Sequence, residues 1–406
     1  MMKLARVASR SARGFATNVE AIRFHGFGSP ADVLTCVCRI VRYPPAAVLD
    51  ARCGCAPRAR PSSVLCRRPR ARPLPTSLYR GSPAAVASRP CPTHCPTSSE
   101  QSSVGTGAVR VKMLAAPISS ADLTAVEGFS GKTSFPATGG NSGVGVVEAV
   151  PAGAKSLRVG DWVVAGRSGL GTWAKELSAS EDSFIKVAND IPVEQAATLG
   201  GSPSVALRVL SDFASLSAGD VVIQNAGNSA VGEAVVQICA ARGIQTVSIV
   251  SDVANTDDAV RHLQSLGGTL VIPERMPRSK IAALLADLPA PKLAINGAGG
   301  DAASTVASTV APGGIMVTYG SECRQGVTVP TSALVAGDLR LAGFSLSRWA
   351  AAAKAGEAEA MVADLSAMVK DGKLRSFVEL KPFAQWNDAV AAASGDYNRE
   401  VVISME

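Results

Sequence analysis

Gly219 to Gln237 reads GDVVIQNAGNSAVGEAVVQ. An apolar run, VVIQ, passes through a turn holding Gly227, Ala230 and Gly232 into the helix-patterned VGEAVVQICAARG. Small residues there let the main chain approach a pyrophosphate, and the free N–H groups of the helix N-terminus then face the anion. The spacing predicts a strand, a phosphate-binding loop and a helix. TVSIV, DDAVRHLQSL, TLVI, SKIAALLADL, LAING, DAASTVASTVA and GGIMVTYG continue the alternation of strand and helix. Such alternation predicts an α/β fold with a doubly wound parallel sheet.

Upstream the rhythm differs. From Ala108 to about Ser178 the strands VRVKML, GVGVVEAV and GDWVVAG are short and joined by glycine-rich turns, which predicts a small barrel-like β domain. The last 50 or so residues give one amphipathic helix, AEAMVADLSAMVKDGKL, and a return to short strands. Residues 36–107 break the pattern: they hold 11 of the 24 prolines, eleven arginines and no sustained period of 2 or 3.6. That composition predicts a disordered insertion, because it offers too little apolar surface to offset chain entropy.

The formal charge of +7 is unevenly placed. MMKLARVASRSARGFAT carries Lys3, Arg6, Arg10 and Arg13 without an acid and reads as a mitochondrial transit peptide over residues 1–17. The insertion sets its eleven arginines against only Asp50 and Glu100, so together with the leader it carries more than the whole excess, which leaves the regular part mildly acidic and argues against nucleic-acid binding. No apolar run reaches the ~20 residues of a membrane span. Seven of nine cysteines precede residue 100, so no disulfide framework is predicted for the main fold. Cys53, Cys55, Cys91, His94 and Cys95 match no usual zinc spacing.

Gln224 to Gly232 resembles the phosphate loop of the mitochondrial trans-2-enoyl-CoA reductases, within the medium-chain dehydrogenase/reductase superfamily. VRVKMLAAPI (Val109 to Ile118), GGNSGVG (Gly139 to Gly145), GLGTW (Gly169 to Trp173), AATLG (Ala196 to Gly200), GGIMVTYG (Gly313 to Gly320) and GFSLSRW (Gly343 to Trp349) carry the same resemblance in the family's order. It covers residues 18–35 and 108–406 and implies a GroES-like β-barrel catalytic domain beside a Rossmann domain. The domain expectation is 18–35 and 108–198, completed by 350–406, for the first, and 199–349 for the second. The implied activity is NADPH-dependent reduction of the 2,3 double bond of enoyl-CoA or enoyl-acyl carrier protein, in a homodimer of the mitochondrial matrix. GGNSG stands where zinc-dependent relatives carry Gly-His-Glu, so no catalytic zinc is expected.

The reacting centre departs from the family. Conjugate reduction needs a donor that stabilises developing enolate charge and a proton for Cα. The resemblance assigns these to a tyrosine in a Gly-x-Tyr-Gly setting, but Gly128-Phe129-Ser130-Gly131 stands there, placing Ser130 at the hydroxyl position. Ser119 replaces a family asparagine. The donor is left open among Ser130, a water and Tyr319. A quinone or alkenal reductase and a non-catalytic nucleotide- and acyl-carrier-binding protein stay as alternatives. Asn225, Gly227, Asn228, Ser229, Ala230, Val231, Gly232, Ser251, Tyr319 and Gly320 are the expected cofactor residues, with Asn225, Asn228 and Ser229 reading as phosphate contacts. Phe129, Asn141, Trp173 and Trp349 are the expected substrate-pocket residues. Ser251-Asp252 offers no base for a 2′-phosphate, which keeps NADH open beside NADPH.

Overall fold

The computed structural model describes residues 18–24, 27–30, 36–41, 107–128, 137–251, 256–395 and 399–406. Its first half holds β1 (Asn18–Phe24), β2 (Cys36–Val41), β3 (Val109–Ile118), α1 (Ser120–Val126), β4 (Ala137–Thr138), β5 (Val144–Ala149), β6 (Trp162–Ala165), β7 (Glu176–Ala179) and β8 (Phe184–Val187). Two helices follow, α2 (Val193–Leu199) and α3 (Ser202–Asp212). Then come β9 (Val221–Gln224), α4 (Ala230–Ala241), β10 (Gln245–Val250), α5 (Thr256–Ser265), β11 (Leu270–Pro273), α6 (Arg278–Leu285), β12 (Leu293–Asn296), α7 (Ala302–Ala307), β13 (Ile315–Thr318), α8 (Thr331–Val335) and β14 (Arg340–Gly343). The chain closes with α9 (Leu346–Ala352), α10 (Glu357–Lys370), β15 (Val378–Pro382), α11 (Trp386–Ala393) and β16 (Glu400–Ser404).

The six-stranded sheet runs β11-β10-β9-β12-β13-β14 with every pair parallel. This is the doubly wound Rossmann order, with its switch point between β9 and β12. Its central strands are buried on both faces, as their unbroken apolar runs require. α4 is apolar nearly all round because it lies between this sheet and the other half of the molecule.

The second sheet runs β15-β16-β3-β5-β6-β8, with β7 also pairing β3. β3 alternates at first, Val109, Val111 and Met113 inward and Lys112 outward, then is buried throughout from Ala115 to Ile118. That change marks where β3 passes from a half-solvated barrel wall to the joint with the parallel sheet. One core joins Ala115, Val144 and Val164 of the barrel to Val222, Ile295 and Val317 of the parallel sheet. Each of these valine and isoleucine side chains contributes about 1.5–3 kcal/mol on full burial.

The expected insertion is corrected at its start. Cys36–Val41 is a strand, β2, antiparallel to β1 with Asn18 opposite Val41 and Arg23 opposite Cys36. Its β-branched residues Val37, Ile40 and Val41 favour that conformation, and the composition of the longer segment hid it. Residues 42–106, and the transit-peptide reading of residues 1–17, lie outside the described residues.

Candidate active site

The turn from β9 into α4 is built by close backbone approach. A Cβ on Gly232 would lie 2.5 Å from the Gly227 carbonyl oxygen and 2.6 Å from that of Ala226. One on Gly227 would lie 2.9 Å from Ser248 Cβ on β10. Ala226 is left-handed at φ 50, which tightens the turn. Ser229 caps α4, its hydroxyl accepting from Gly232 N at 3.2 Å. Asn228, Ser229, Ala230 and Val231 stay partly exposed at this helix end. The site is therefore a cradle that side chains would fill, beneath a helix N-terminus and beside the switch point, and it fits a dinucleotide's pyrophosphate.

Asn225 does other work than the phosphate contact expected of it. It is buried, its Oδ1 accepts from Gly297 N at 2.8 Å and Ala298 N at 3.1 Å, and its Nδ2 donates to Asn296 Oδ1 at 2.8 Å. Asn296 in turn donates to Thr318 Oγ1 at 3.0 Å. The ladder fixes the loops that leave β9, β12 and β13. Asn296 escaped the sequence reading, although a buried asparagine ending the apolar run LAIN was its signal. Asn228 Oδ1 accepts from Ser251 N at 3.3 Å, which ties the phosphate loop to the end of β10. Asp252 lies outside the described residues.

Tyr319 follows β13, with its hydroxyl 3.4 Å from Ser229 Oγ and its ring against Gly297. Burial, reinforced by the Glu322 charge, raises its phenol above the ordinary value. Gly320 passes the Gly297 carbonyl so closely that a Cβ there would lie 3.0 Å from the oxygen.

On the barrel side, Ser119 caps α1. Its backbone N–H and hydroxyl donate to Asp122 Oδ2 at 2.9 and 2.6 Å. Asn141 Nδ2 donates to Asp122 Oδ1 at 2.7 Å, and Asn141 Oδ1 accepts from Gly169 N at 2.8 Å. Burial raises the Asp122 carboxyl, while these donors pull it down. Ser119, Asn141 and the GLGTW turn are thus brought together by a carboxylate that sequence reasoning missed. Asp122 three residues after Ser119 was the available sign, the spacing of a capping box.

Trp173 is corrected from pocket wall to internal post. It is fully buried, donates from Nε1 to Pro117 O at 3.0 Å, and meets Trp386 edge-on at 4.8 Å. Its ring occupies the space that side chains on Gly139 and Gly140 would need, which explains the paired glycines above it. Trp349 lies half-buried under the Arg208 guanidinium, 4.5 Å from its ring, and so packs α9 onto α3. Phe129 and Ser130 lie outside the described residues.

The two halves also meet through polar contacts. Ser142 Oγ donates to Gly200 O at 3.1 Å, and Arg324 Nη2 lies 2.6 Å from Glu127 Oε1. Among the described residues no group of three or more His, Cys, Asp or Glu is placed to hold a metal. Among them too, no helix is long and apolar enough to cross a membrane. An open cavity of about 400 Å³, lined by Leu210 to Leu216 and Arg242, sits at the opposite end of α4 from the cradle.

Residues 105–189 match the alcohol dehydrogenase GroES-like domain family. The chain is 43% identical over 270 residues to the mitochondrial enoyl-acyl-carrier-protein reductase of Rattus norvegicus, across 66% of this chain and 72% of the rat protein. Two solved structures share the fold at 24% identity, covering 96% of this chain and all of theirs. They are the Etr1p complex with NADP and crotonyl-CoA, TM-score 0.71, and the mitochondrial 2-enoyl thioester reductase Etr1p/Etr2p heterodimer of Candida tropicalis, TM-score 0.70.

Proposed function

The chain belongs to the mitochondrial enoyl-acyl-carrier-protein reductase family, and on that premise we propose that it reduces the 2,3 double bond of trans-2-enoyl thioesters with NADPH. The observation that carries this reading is the cradle: Gly227 and Gly232 admit a pyrophosphate at the α4 N-terminus, at the switch point of the parallel sheet. NADPH, when bound there, supplies a hydride. The chain's own residues do the rest. Ser229 and the free N–H groups of α4 hold the anion, and the Asn225–Asn296–Thr318 ladder keeps the loops around it at fixed spacing. Asp122 fixes Ser119 and Asn141 on the facing barrel wall, where the thioester lies. The shared apolar core beneath both walls keeps water from entering behind them.

The protein is mitochondrial, and we place it in the matrix, where the basic leader of residues 1–17 would direct it. Its substrates are enoyl-CoA and the enoyl thioester of acyl carrier protein. A second copy pairs through β14, the outer strand of the parallel sheet. Leu341 on that strand is 51% exposed and Val335 on the adjoining α8 is 80% exposed, apolar surface that pairing would cover. Leu341→Asp is expected to shift the sedimenting mass from dimer to monomer.

The decisive test is loss of absorbance at 340 nm with the purified chain, trans-2-hexenoyl-CoA, and NADPH or NADH in parallel. Turnover preferring NADPH is the expected result. Saturable nucleotide binding without turnover of any enoyl thioester would replace this reading with a binding role, and turnover of quinones alone would replace the substrate class.

A further inference from the structure

The helix that receives the pyrophosphate also carries an acid. Glu233 stands in the first turn of α4, its N–H donating to Ser229 O at 2.9 Å, one residue beyond the Gly232 that clears the cradle. A carboxylate there complements the helix dipole, but it opposes a second anion arriving at the same helix end. It is also buried, with its side chain 4% exposed, where a lone charge is costly. The position therefore calls for a cation or a proton.

The neighbouring helix supplies both. His262 on α5 places Nε2 3.1 Å from Glu233 Oε1. Its ring is held edge-on against Phe377, centroids 4.4 Å apart, in the segment that enters β15. That segment is fixed to α4 in turn: Gln237 Nε2 donates to Arg375 O at 3.1 Å, and Gln237 Oε1 accepts from Arg375 N at 2.9 Å. Glu233 and Gln237, one turn apart on α4, thus hold the imidazole and its support together. The His262 side chain is 29% exposed, so the pair has one end buried beneath the cradle and one end open to water. Burial raises the Glu233 carboxyl, against the hydrogen bond and charge of His262 and the charge of Arg399, just before β16. Glu400 beside Arg399 is pushed up to about 8, chiefly by burial, toward its neutral form. Arg375 lies 5.5 Å from the Phe377 ring, and on α5 itself Asp258 and Arg261 pair with each other.

We infer that His262 is a positioning residue for the dinucleotide: by bonding Glu233 and carrying a proton it cancels the acid beneath the pyrophosphate, so that NADPH binding draws a proton from water onto the His262–Glu233 pair. The inference rests on the nucleotide cradle of the reductase reading above. Linkage gives its sign. A ligand that adds negative charge beside the pair binds the protonated form more tightly, and protonation tightens the ligand by the same factor. NADPH affinity is therefore higher at low pH and falls as the pair loses its proton. Glu233→Gln, uncharged at every pH, removes both the repulsion and the need for His262.

The test is a double-mutant cycle in the full chain, read by fluorescence titration of NADPH between about pH 5 and 8, the span in which a histidine changes charge. His262→Ala is expected to weaken NADPH binding by about tenfold, within the range of such couplings. Glu233→Gln binds as tightly as wild type or tighter, and adding His262→Ala to it has no further effect. Calorimetry in buffers of different ionisation heat shows more proton uptake on NADPH binding in wild type than in Glu233→Gln, a comparison in which titration of the nucleotide's own phosphate cancels. A histidine that only packs against Phe377 gives the same loss in both backgrounds and the same proton uptake. That result, or wild-type affinity in His262→Ala, overturns the assignment while the reductase reading stands. Should Glu233→Gln not fold, His262→Lys carries the question: its fixed charge is expected to keep the affinity and remove the extra uptake, and a variant that does neither overturns the assignment. A wild type that binds no NADPH overturns both readings, and that outcome appears before any variant is made.

Discussion

The two walls of the cleft are built on different principles. On the nucleotide side the working parts are main-chain groups: glycines at 227 and 232 clear a path, and α4 turns its N–H groups toward it. On the barrel side the working parts are side chains held by other side chains, with Asp122 gathering Ser119 and Asn141, and Asn141 gathering Gly169. A backbone-built wall tolerates no added atoms, whereas a side-chain wall fails when a partner is lost.

If that contrast holds, Gly232→Val gives the largest effect. Its new carbons meet the carbonyls of Gly227 and Ala226 within 2.5–2.6 Å, a clash costing about 1–3 kcal/mol or more. NADPH affinity is expected to fall by at least about tenfold, each decade being ~1.4 kcal/mol. Titration of nucleotide fluorescence checks this, and wild-type affinity in a folded variant would dissolve the distinction.

Asp122→Ala comes next and strikes the other wall. It strands the Ser119 N–H and the Asn141 amide, part-buried groups for which the ~1–3 kcal/mol cost of a fully buried unpaired group is the upper end. The melting temperature and kcat with trans-2-hexenoyl-CoA should both drop while NADPH affinity stays fixed. A parallel loss of NADPH binding would mean that the walls are not separable.

The smallest effect sharpens the comparison at the joint. Glu400 is buried where β16 meets α3. Ser202 lies 3.4 Å from one carboxylate oxygen, and the other has no hydrogen-bond partner among the described residues. Burial first, then the Asp122 charge, pushes its carboxyl up to about 8. The folded protein therefore holds this proton more tightly than the unfolded chain, whose carboxyl sits near 4.5. Stability from this group is full below about 4.5 and is lost as pH rises toward 8. Glu400→Gln should melt higher than wild type by about 2–4 °C per kcal/mol regained, with the gap opening between pH 4.5 and 8. A gap that does not change with pH would show that Glu400 is not neutral in the folded state.

The same contrast explains what could be read in advance. The parallel sheet was legible because each strand and helix carries its own period, and because a glycine that must approach a carbonyl or a phosphate stays a glycine in the sequence. β2 was not, since six residues of strand pattern are easily lost inside a segment of proline and arginine. Trp173 looked like a pocket wall because a tryptophan beside glycines suits either a cleft or a core, and only the partners Pro117 and Trp386 decide between them. Asp122 looked like an ordinary residue of a helix start.

The sequence by itself determined the order of elements, the phosphate loop and the family, because these depend on local spacing within about 20 residues of chain. Only the tertiary structure decided that Asn225 serves Asn296 and that Arg324 reaches Glu127. Those pairings join residues 71 and 197 positions apart, where no periodicity reaches and only the packing of one sheet against another brings the partners together.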